Sequence, residues 1–388
     1  MSDNAAIGKN ITRWRRRRTL TQVQLASLAG ISRSRLSDVE NGKEAPSAMW
    51  VGIVASALNV DASVLKRGED TELDQADVIV PTVRRVVASV DLLPDIDPEP
   101  LERLVPLVEQ VGRWRHAAAY TKITEVLPEL VDQLLVAGLR DGAPAYELLV
   151  TLFRAGNTLS HKTGHYDLST LATERMVWAA TQSGDPLLIA TTQYVKSAAL
   201  ARVGETQRAM QLADRTISEI ESLADDQSGA AVLCALHMRR AGLAALFTDT
   251  ATAETHFAEA RALAERVGDR QSYGTVVGPT NLKLWEMSAQ LDLGEIGKAM
   301  EIAEEVRLPE GFPKERRAHF WLDWGRAYLS AGKPDAAIEA LANAKEASRE
   351  YFRKSRAVDL TLDTIQTHPA RIAADKLRPL LAAAGKDL

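Results

Sequence analysis

Apolar residues recur at helical spacing along almost the whole chain, in short segments at first and in longer ones afterwards. Glycines, prolines and capping residues divide the first 68 residues into five predicted helices. These are 5–18, 22–29, 33–40, about 48–58 and 61–65. Thr21, Ser32 and Ser47 stand at N-cap positions of the second, third and fourth helices. With no strand pattern in this stretch, the sequence predicts a five-helix N-terminal domain over residues 1–68, here called the head.

The rest of the chain also follows a helical pattern, but over longer segments. Residues 69–100 begin with an acidic stretch without an apolar stripe, which we interpret as a linker followed by a connecting helix. Helical periodicity resumes near Thr82, breaks at the prolines of 94–100, and then continues in Ala- and Leu-rich segments nearly to the end. The sequence therefore predicts an all-α protein, with residues 101–388 forming a second helical domain, here called the body.

The body carries a spaced self-similarity. Turn glycines lie at Gly164, Gly204, Gly294 and Gly332, each between two helical segments. An alanine follows the last three at a fixed distance, at Ala209, Ala299 and Ala337. The spacing becomes about 40 residues throughout if a turn without glycine lies at Asp249. Such a period, with two helices per unit, predicts an α-solenoid of stacked helical hairpins.

One unit of this solenoid resembles a known repeat. The run from Trp321 through Trp324 and Gly325 to Tyr328, continued by Gly332, Ala337 and Leu341, is similar to a tetratricopeptide repeat. Trp324 stands where that repeat usually has Leu, and Leu341 where it has Phe. The other units match at their small residues alone, so the resemblance implies degenerate repeats.

Solenoids bind their partners in a concave groove lined by the first helix of each hairpin. When the units are aligned on their turn glycines, six polar residues fall on this predicted groove: Arg154, His161, Tyr194, Arg239, Asn281 and Arg326. Arginine pairs with carboxylates and asparagine with peptide groups, so the lining suits an anionic or peptide-like ligand. The alternative is that these residues are ordinary solvated or inter-repeat positions.

The charge of the chain is unevenly distributed. The formal net charge of −5 combines a head with eleven basic and five acidic residues and a remainder with 36 basic and 47 acidic residues. A basic head on an acidic body suggests a nucleic-acid-binding module joined to a part that does not bind nucleic acid.

Several function classes find no support in the sequence. The single cysteine, Cys234, cannot form an intramolecular disulfide or a cysteine-cage zinc site. The first ten residues contain no apolar stretch, and nowhere do 18 apolar residues run together. Catalytic, phosphate-loop, calcium-loop and metalloprotease motifs do not occur. We therefore expect a cytoplasmic protein that is not an enzyme and uses no metal or cofactor.

The head carries the most specific motif. The stretch from Leu20 to Ser47, including the run Gly30-Ile-Ser-Arg-Ser-Arg-Leu-Ser-Asp-Val-Glu-Asn-Gly-Lys43, resembles phage-repressor-like helix-turn-helix domains of the xenobiotic-response-element (XRE) family. The resemblance implies that the third helix enters the major groove of double-stranded DNA. Candidate DNA-contacting residues are Arg15, Thr21, Gln22, Ser32, Arg33, Ser34, Arg35, Ser37, Asn41 and Lys43. Arg33 can offer two donors to guanine, whereas Thr21 and Gln22 suit a phosphate at a helix N-terminus. Ser32 and Asn41 are also what a helix cap and a helix end require without DNA.

The fourth helix departs from the family pattern. Met49, Trp50 and Ile53 occupy positions at which the family places polar residues. The helix is therefore apolar nearly all round, which suggests a docking surface for a second head or for the body. The alternative is a local rearrangement that buries Trp50 within the head.

Together these features resemble transcription regulators that join an XRE-type head to a tetratricopeptide-like sensor. The resemblance implies a homodimer on a palindromic operator, whose body responds to a small molecule or a peptide. The alternative is a scaffold whose solenoid recruits a protein partner to DNA without any small ligand.

Overall fold

The ends of the head helices are fixed by capping side chains. In the computed structural model, which describes residues 3–58, 65, 79–367 and 374–386, the head contains α1 (Asp3–Arg17), α2 (Gln22–Ala29), α3 (Arg33–Glu40) and α4 (Ala48–Ala57). The Thr21 hydroxyl accepts from the Gln24 amide at 3.2 Å, and Gln24 Oε1 accepts from the Thr21 amide at 2.8 Å. The Ser32 and Ser47 hydroxyls cap α3 and α4 by accepting from the Arg35 and Trp50 amides. These four predicted helices are confirmed, and the predicted fifth lies outside the described residues except for Leu65, which is helical and buried.

Beyond the head, the described residues contain sixteen further α-helices and one short 3-10 helix (Glu221–Leu223). The α-helices are α5 (Ile79–Ala88), α6 (Leu101–His116), α7 (Tyr120–Asp141), α8 (Ala143–Lys162), α9 (Tyr166–Ser183), α10 (Pro186–Arg202), α11 (Thr206–Ile220), α12 (Gln227–Leu246), α13 (Thr250–Val267), α14 (Pro279–Leu293), α15 (Ile296–Glu305), α16 (Lys314–Ser330), α17 (Pro334–Ala347), α18 (Arg349–Lys354), α19 (Arg356–Gln366) and α20 (Ala374–Ala384). The predicted connecting helix therefore begins slightly earlier than the periodicity near Thr82 indicated.

Ten of these helices form five successive hairpins, as the repeat spacing predicted. The pairs are α8/α9, α10/α11, α12/α13, α14/α15 and α16/α17. Each pair turns at one residue with positive φ, which is Gly164, Gly204, Thr248, Gly294 or Gly332. The third turn lacks glycine, as predicted, and Asp249 caps the helix that follows Thr248. Ala209, Ala253, Ala299 and Ala337, five positions beyond four of these turns, are buried, so the two helices of each hairpin can approach closely.

The first helices of the hairpins, α8, α10, α12, α14 and α16, form the inner layer of the solenoid. The solenoid curves until its last inner helix returns to its first, where Lys162 of α8 and Glu315 of α16 form an ion pair of 2.5 Å. At its centre, α12 is long and apolar enough to cross a membrane by length and composition alone, but 83% of its most apolar window is buried inside the protein. It is the central core helix of the body.

A small β-hairpin interrupts the otherwise helical chain and was not predicted. Strands β1 (Arg270–Ser272) and β2 (Thr275–Val277) pair antiparallel, with Arg270 opposite Val277. Tyr273 and Gly274 connect them, both with positive φ, as a two-residue hairpin turn requires. The hairpin lies between α13 and α14, and its turn reaches the inner layer of the solenoid.

Candidate DNA-binding surface and the cavity beside it

The first turn of α3 presents its polar residues to solvent. Arg33 and Ser34 are exposed, whereas Leu36 and Val39 on the opposite side are buried in the head. Asn41 and Lys43, just beyond α3, are exposed as well. These four predicted DNA-contacting residues are therefore accessible to solvent, at the first turn of the helix that the resemblance places in the major groove and just beyond its end.

Other predicted DNA-contacting residues also have structural roles within the head. Arg15 binds Glu40 through two nitrogens, at 2.6 and 2.8 Å, and Gln22 donates to the same carboxylate at 2.7 Å. This network joins α1, α2 and the end of α3. Thr21 and Ser32 cap helices, as described above, and Ser37 accepts from the Asn41 side chain at 3.3 Å. Their contacts with DNA stay predictions.

Arg35 lies on the other side of α3 and is 3% exposed. Its Nε donates to Glu44 at 2.9 Å, its Nη2 lies 3.0 Å from the Asp292 carboxylate, and its Nη1 donates to the Asp292 carbonyl at 2.8 Å. Burial disfavours the charged guanidinium, but Glu44 and Asp292 hold the pKa of Arg35 above its ordinary value. Because Asp292 belongs to α14, a side chain of the head is tied to the body. The predicted contact of Arg35 with DNA requires this ion pair to break.

The fourth helix packs against the body rather than facing solvent. Trp50 and Ile53 are buried, Met49 is half-buried, and α4 lies against α10. Gly52 allows the two backbones to meet, because a Cβ at this position would lie 2.5 Å from the Arg202 carbonyl oxygen. The head core is continuous with apolar side chains of the body at this contact.

A cavity of about 310 Å³ lies at the boundary between head and body. All six residues that the repeat register placed in the groove line this one cavity: Arg154, His161, Tyr194, Arg239, Asn281 and Arg326. They come from α8, α10, α12, α14 and α16, so each inner helix of the solenoid contributes to the wall. The size is at the lower end of the range for small-molecule sites.

The cavity is bounded by the head on one side and by the β-hairpin on another. Residues 45–49 of the head line it, and so does the hairpin turn. Arg154 donates to the Tyr273 carbonyl at 2.5 Å and to the Thr275 hydroxyl at 2.7 Å, which holds the turn in place. Asn281 donates to the Val276 carbonyl at 2.7 Å, which fixes the second strand.

The permanent charges of the lining are mostly positive. Besides Arg154, Arg239 and Arg326, the cations are Arg115, Lys162, Arg202, Arg316 and Arg356, and the carboxylates are Asp292, Glu315 and Asp323. The lining histidines add no charge near neutral pH, because burial lowers the pKa of His319 to about 4 and that of His161 well below its ordinary value. Cations therefore exceed carboxylates by eight to three.

Several of these residues were not found from the sequence. Arg202 and Asp292 share one repeat position, two residues before the turns at Gly204 and Gly294, which could have indicated that both lie on the same side of the solenoid. Arg115 lies at the end of α6, outside the repeats that were aligned. Its guanidinium donates to the carbonyl of Gly274 in the unpredicted hairpin.

The fold and the head surface define the class of the protein, which is a DNA-binding transcription regulator of the helix-turn-helix type with a helical-repeat C-terminal domain. Residues 6–67 match the family model described as a helix-turn-helix domain. The chain is 38% identical over 69 residues to the ImmF control region 10 kDa protein of Bacillus phage phi105 and spans 77% of that protein. It belongs to this helix-turn-helix family through its head.

A second relative is the immunity repressor protein of the same phage, 43% identical over 65 residues. The match covers 17% of this chain and 44% of the repressor. Among solved structures, BtubC from P. vanneervenii aligns over 61% of this chain and 90% of its own, with 16% identity and a TM-score of 0.38. Bacillus thuringiensis PlcR, in complex with the peptide PapR7 and DNA, aligns over 84% of this chain and 98% of its own, with 13% identity and a TM-score of 0.36. At these TM-scores neither structure bears on the function of this chain.

Proposed function

We propose that this regulator binds a specific DNA operator through α3 and that a ligand in the cavity between head and body controls the binding. The observation that carries the proposal is the Arg35–Asp292 ion pair. Arg35 belongs to the helix that is predicted to read DNA, and Asp292 belongs to the wall of the cavity. One contact therefore links the two candidate sites.

The DNA contacts divide into two kinds. Arg33 and Ser34, exposed at the first turn of α3, would read base edges in the major groove. Asn41 and Lys43 would hold the phosphate backbone beside them, which positions α3 without specifying sequence. Arg35 would join these contacts only when the head leaves the body.

The coupling has a simple thermodynamic form. A ligand shifts the equilibrium between docked and released heads only if it binds the two states with different affinity. Residues 45–49 of the head form part of the cavity wall, so release of the head changes the site itself. A ligand therefore meets a different cavity in each state, as control of DNA binding requires.

We further propose that the protein acts in the cytoplasm as a homodimer on a palindromic operator and has no enzymatic activity. Two heads related by a two-fold axis would contact half-sites about one helical turn apart. Analytical ultracentrifugation of the operator complex tests the stoichiometry. Two chains per operator are expected, and one chain per operator would contradict the dimer.

The function is tested by selecting an operator from random-sequence DNA with the full-length protein and measuring affinities by fluorescence polarisation. Replacing Arg33 and Ser34 together by alanine is expected to weaken specific binding by about 1–3 kcal/mol while non-specific, salt-dependent binding persists. An equal loss of specific and non-specific affinity would show that α3 does not read bases.

The proposed regulation of DNA binding through the contact between head and body is tested with Asp292→Ala. This variant removes the carboxylate of the body that pairs with Arg35, which weakens the link between head and body, and it is expected to tighten operator binding. Asp323→Ala, which removes another cavity carboxylate that does not contact the head, serves as the matched control. Operator affinity that is the same in both variants and in the native protein would contradict control through the Arg35–Asp292 contact.

A further inference from the structure

The cavity wall holds more positive charge than its own carboxylates can neutralise. Each of the three carboxylates already has a cationic partner. The pairs are Asp292 with Arg35 at 3.0 Å, Glu315 with Lys162 at 2.5 Å, and Asp323 with Arg326 at 2.9 Å. The three carboxylates of the wall are therefore already engaged in ion pairs, whereas eight cations line the cavity.

Three of these arginines bind neutral acceptors only, among the contacts of the described residues. Arg115 and Arg154 donate to backbone carbonyls of the hairpin turn, and Arg316 donates to the Asn281 side chain at 2.9 Å. Such hydrogen bonds orient a guanidinium but do not neutralise its charge. Burial and the neighbouring Arg115 lower the pKa of Arg154 to about 9, so the fold holds it charged at neutral pH against a desolvation cost.

Arg239 is held in a fixed orientation for binding. It is 8% exposed, and its guanidinium lies between the rings of Tyr194 and Trp285, at 4.6 and 4.7 Å from their centroids. The two rings hold the guanidinium in place, and it also hydrogen-bonds the Tyr194 side chain. Its buried Nε has no hydrogen-bond partner among the described residues. A planar donor edge of this kind matches a carboxylate or phosphate group.

Arg202 provides a second donor close to the head. Its buried Nη1 also has no hydrogen-bond partner in the described part of the chain. Burial, followed by the charge of Arg239, lowers the pKa of Arg202 to about 10, so the two cations repel each other across the cavity. A multiply charged anion between them would relieve this repulsion and supply both missing acceptors.

We propose that the cavity binds a small organic anion with at least two phosphate or carboxylate groups, and that Arg239 and Arg202 are its principal ligands. The inference rests on the proposed function, since it gives the chemical class of the effector in the same cavity. The excess of eight cations over three carboxylates calls for more than one anionic group, and a volume of about 310 Å³ limits the ligand to a small molecule.

The test uses isothermal titration calorimetry of the full-length protein with pyrophosphate and with citrate as probes. Acetate at equal ionic strength measures the effect of screening alone. Both multivalent probes are expected to bind, and Arg239→Gln and Arg202→Gln are each expected to weaken binding about tenfold or more. Arg208→Gln is the matched control, because Arg208 is an exposed arginine of α11 outside the cavity. Tighter binding of pyrophosphate indicates a phosphate ligand, and tighter binding of citrate indicates a polycarboxylate.

The proposal is overturned if neither probe binds more strongly than acetate, or if both cavity variants bind the probes as the native protein does. Far-UV circular dichroism and urea denaturation establish that the variants are folded, and Arg202→Gln provides the answer if Arg239→Gln does not fold. The two proposals fail separately. Probe binding that depends on Arg239 but leaves operator affinity unchanged would contradict ligand control alone. Specific operator binding without probe binding would contradict the anion site alone.

Discussion

The head and the body both rely on arginine, but they place it in opposite environments. Arg33 on the head is exposed, whereas Arg239 in the body is buried between two aromatic rings. Exposed cations keep their hydration, act at long range and are screened by salt, as binding to a long polyanion such as DNA requires. A buried cation such as Arg239 has lost most of its hydration and acts at short range, on a partner in direct contact with it. The residue type alone therefore does not decide the role.

Helix α3 contains this contrast within three residues. Arg33 faces solvent, and Arg35 faces the body and pairs with Glu44 and Asp292. Substituting each of them in turn separates the two environments on the same helix.

The largest effect is expected for Arg35→Ala. Removing one member of a buried ion pair leaves Glu44 and Asp292 without their partner, which costs about 3–5 kcal/mol in free energy of unfolding. Urea denaturation followed by circular dichroism measures the loss. Arg33→Ala is the matched control, since an exposed substitution on the same helix changes stability by about 0.5 kcal/mol or less. Equal stability of the two variants would mean that the burial of Arg35 contributes nothing.

An intermediate effect is expected for Gly52→Ala, which tests the contact between the two regions. The added Cβ would lie 2.5 Å from the Arg202 carbonyl oxygen and 2.7 Å from that of Ala201, so α4 must move away from α10. We expect a loss of about 1–3 kcal/mol from the docked state, measured as faster amide hydrogen exchange in α4 and at the end of α10.

The control for this prediction is Gly297→Ala in α15, where an added Cβ meets no atom within 4 Å. Alanine favours a helix over glycine by up to about 1 kcal/mol, so this variant is expected to be neutral or slightly more stable. If Gly52→Ala behaves in the same way, the head does not depend on close packing against the body.

The smallest effect on stability is expected for Lys43→Ala. Lys43 is exposed, so the folded state loses little when it is removed. DNA affinity is expected to fall uniformly over specific and non-specific sequences, and the slope of log K against log salt to decrease by about one. Fluorescence polarisation over a salt series measures both. An unchanged slope would show that Lys43 does not contact a phosphate.

The comparison also shows what local sequence signals can predict. The first four head helices were predicted to within about two residues, and Thr21, Ser32 and Ser47 mark the starts of the second, third and fourth with caps that act over three residues. The six groove residues were found because the repeat is periodic, and even the turn at Thr248 fits the period without a glycine.

Contacts between distant parts of the chain left no such signal. Arg35 and Asp292 are 257 residues apart, and neither has a neighbour in sequence that indicates the other. The hairpin was missed because its strands are only three residues long, too short for an alternating pattern to stand out from the helices around it. The excess of positive charge in the cavity is seen only in the folded structure, because its lining comes from α6, the hairpin and the inner helices, which are far apart in sequence.

The direction of the inner helices has an electrical consequence. Gly30 of the head lies against Phe247 at the end of α12, and Arg35 donates to the carbonyl of Asp292 in the last turn of α14. The backbone dipoles of these helices thus point their negative poles, each equivalent to about half an elementary charge, at the basic head. Arg35 serves there as a C-cap supplied by another domain. Arg202, in the last turn of α10, places its guanidinium at the same kind of negative pole, so two arginines offset the helix dipoles where head and body meet.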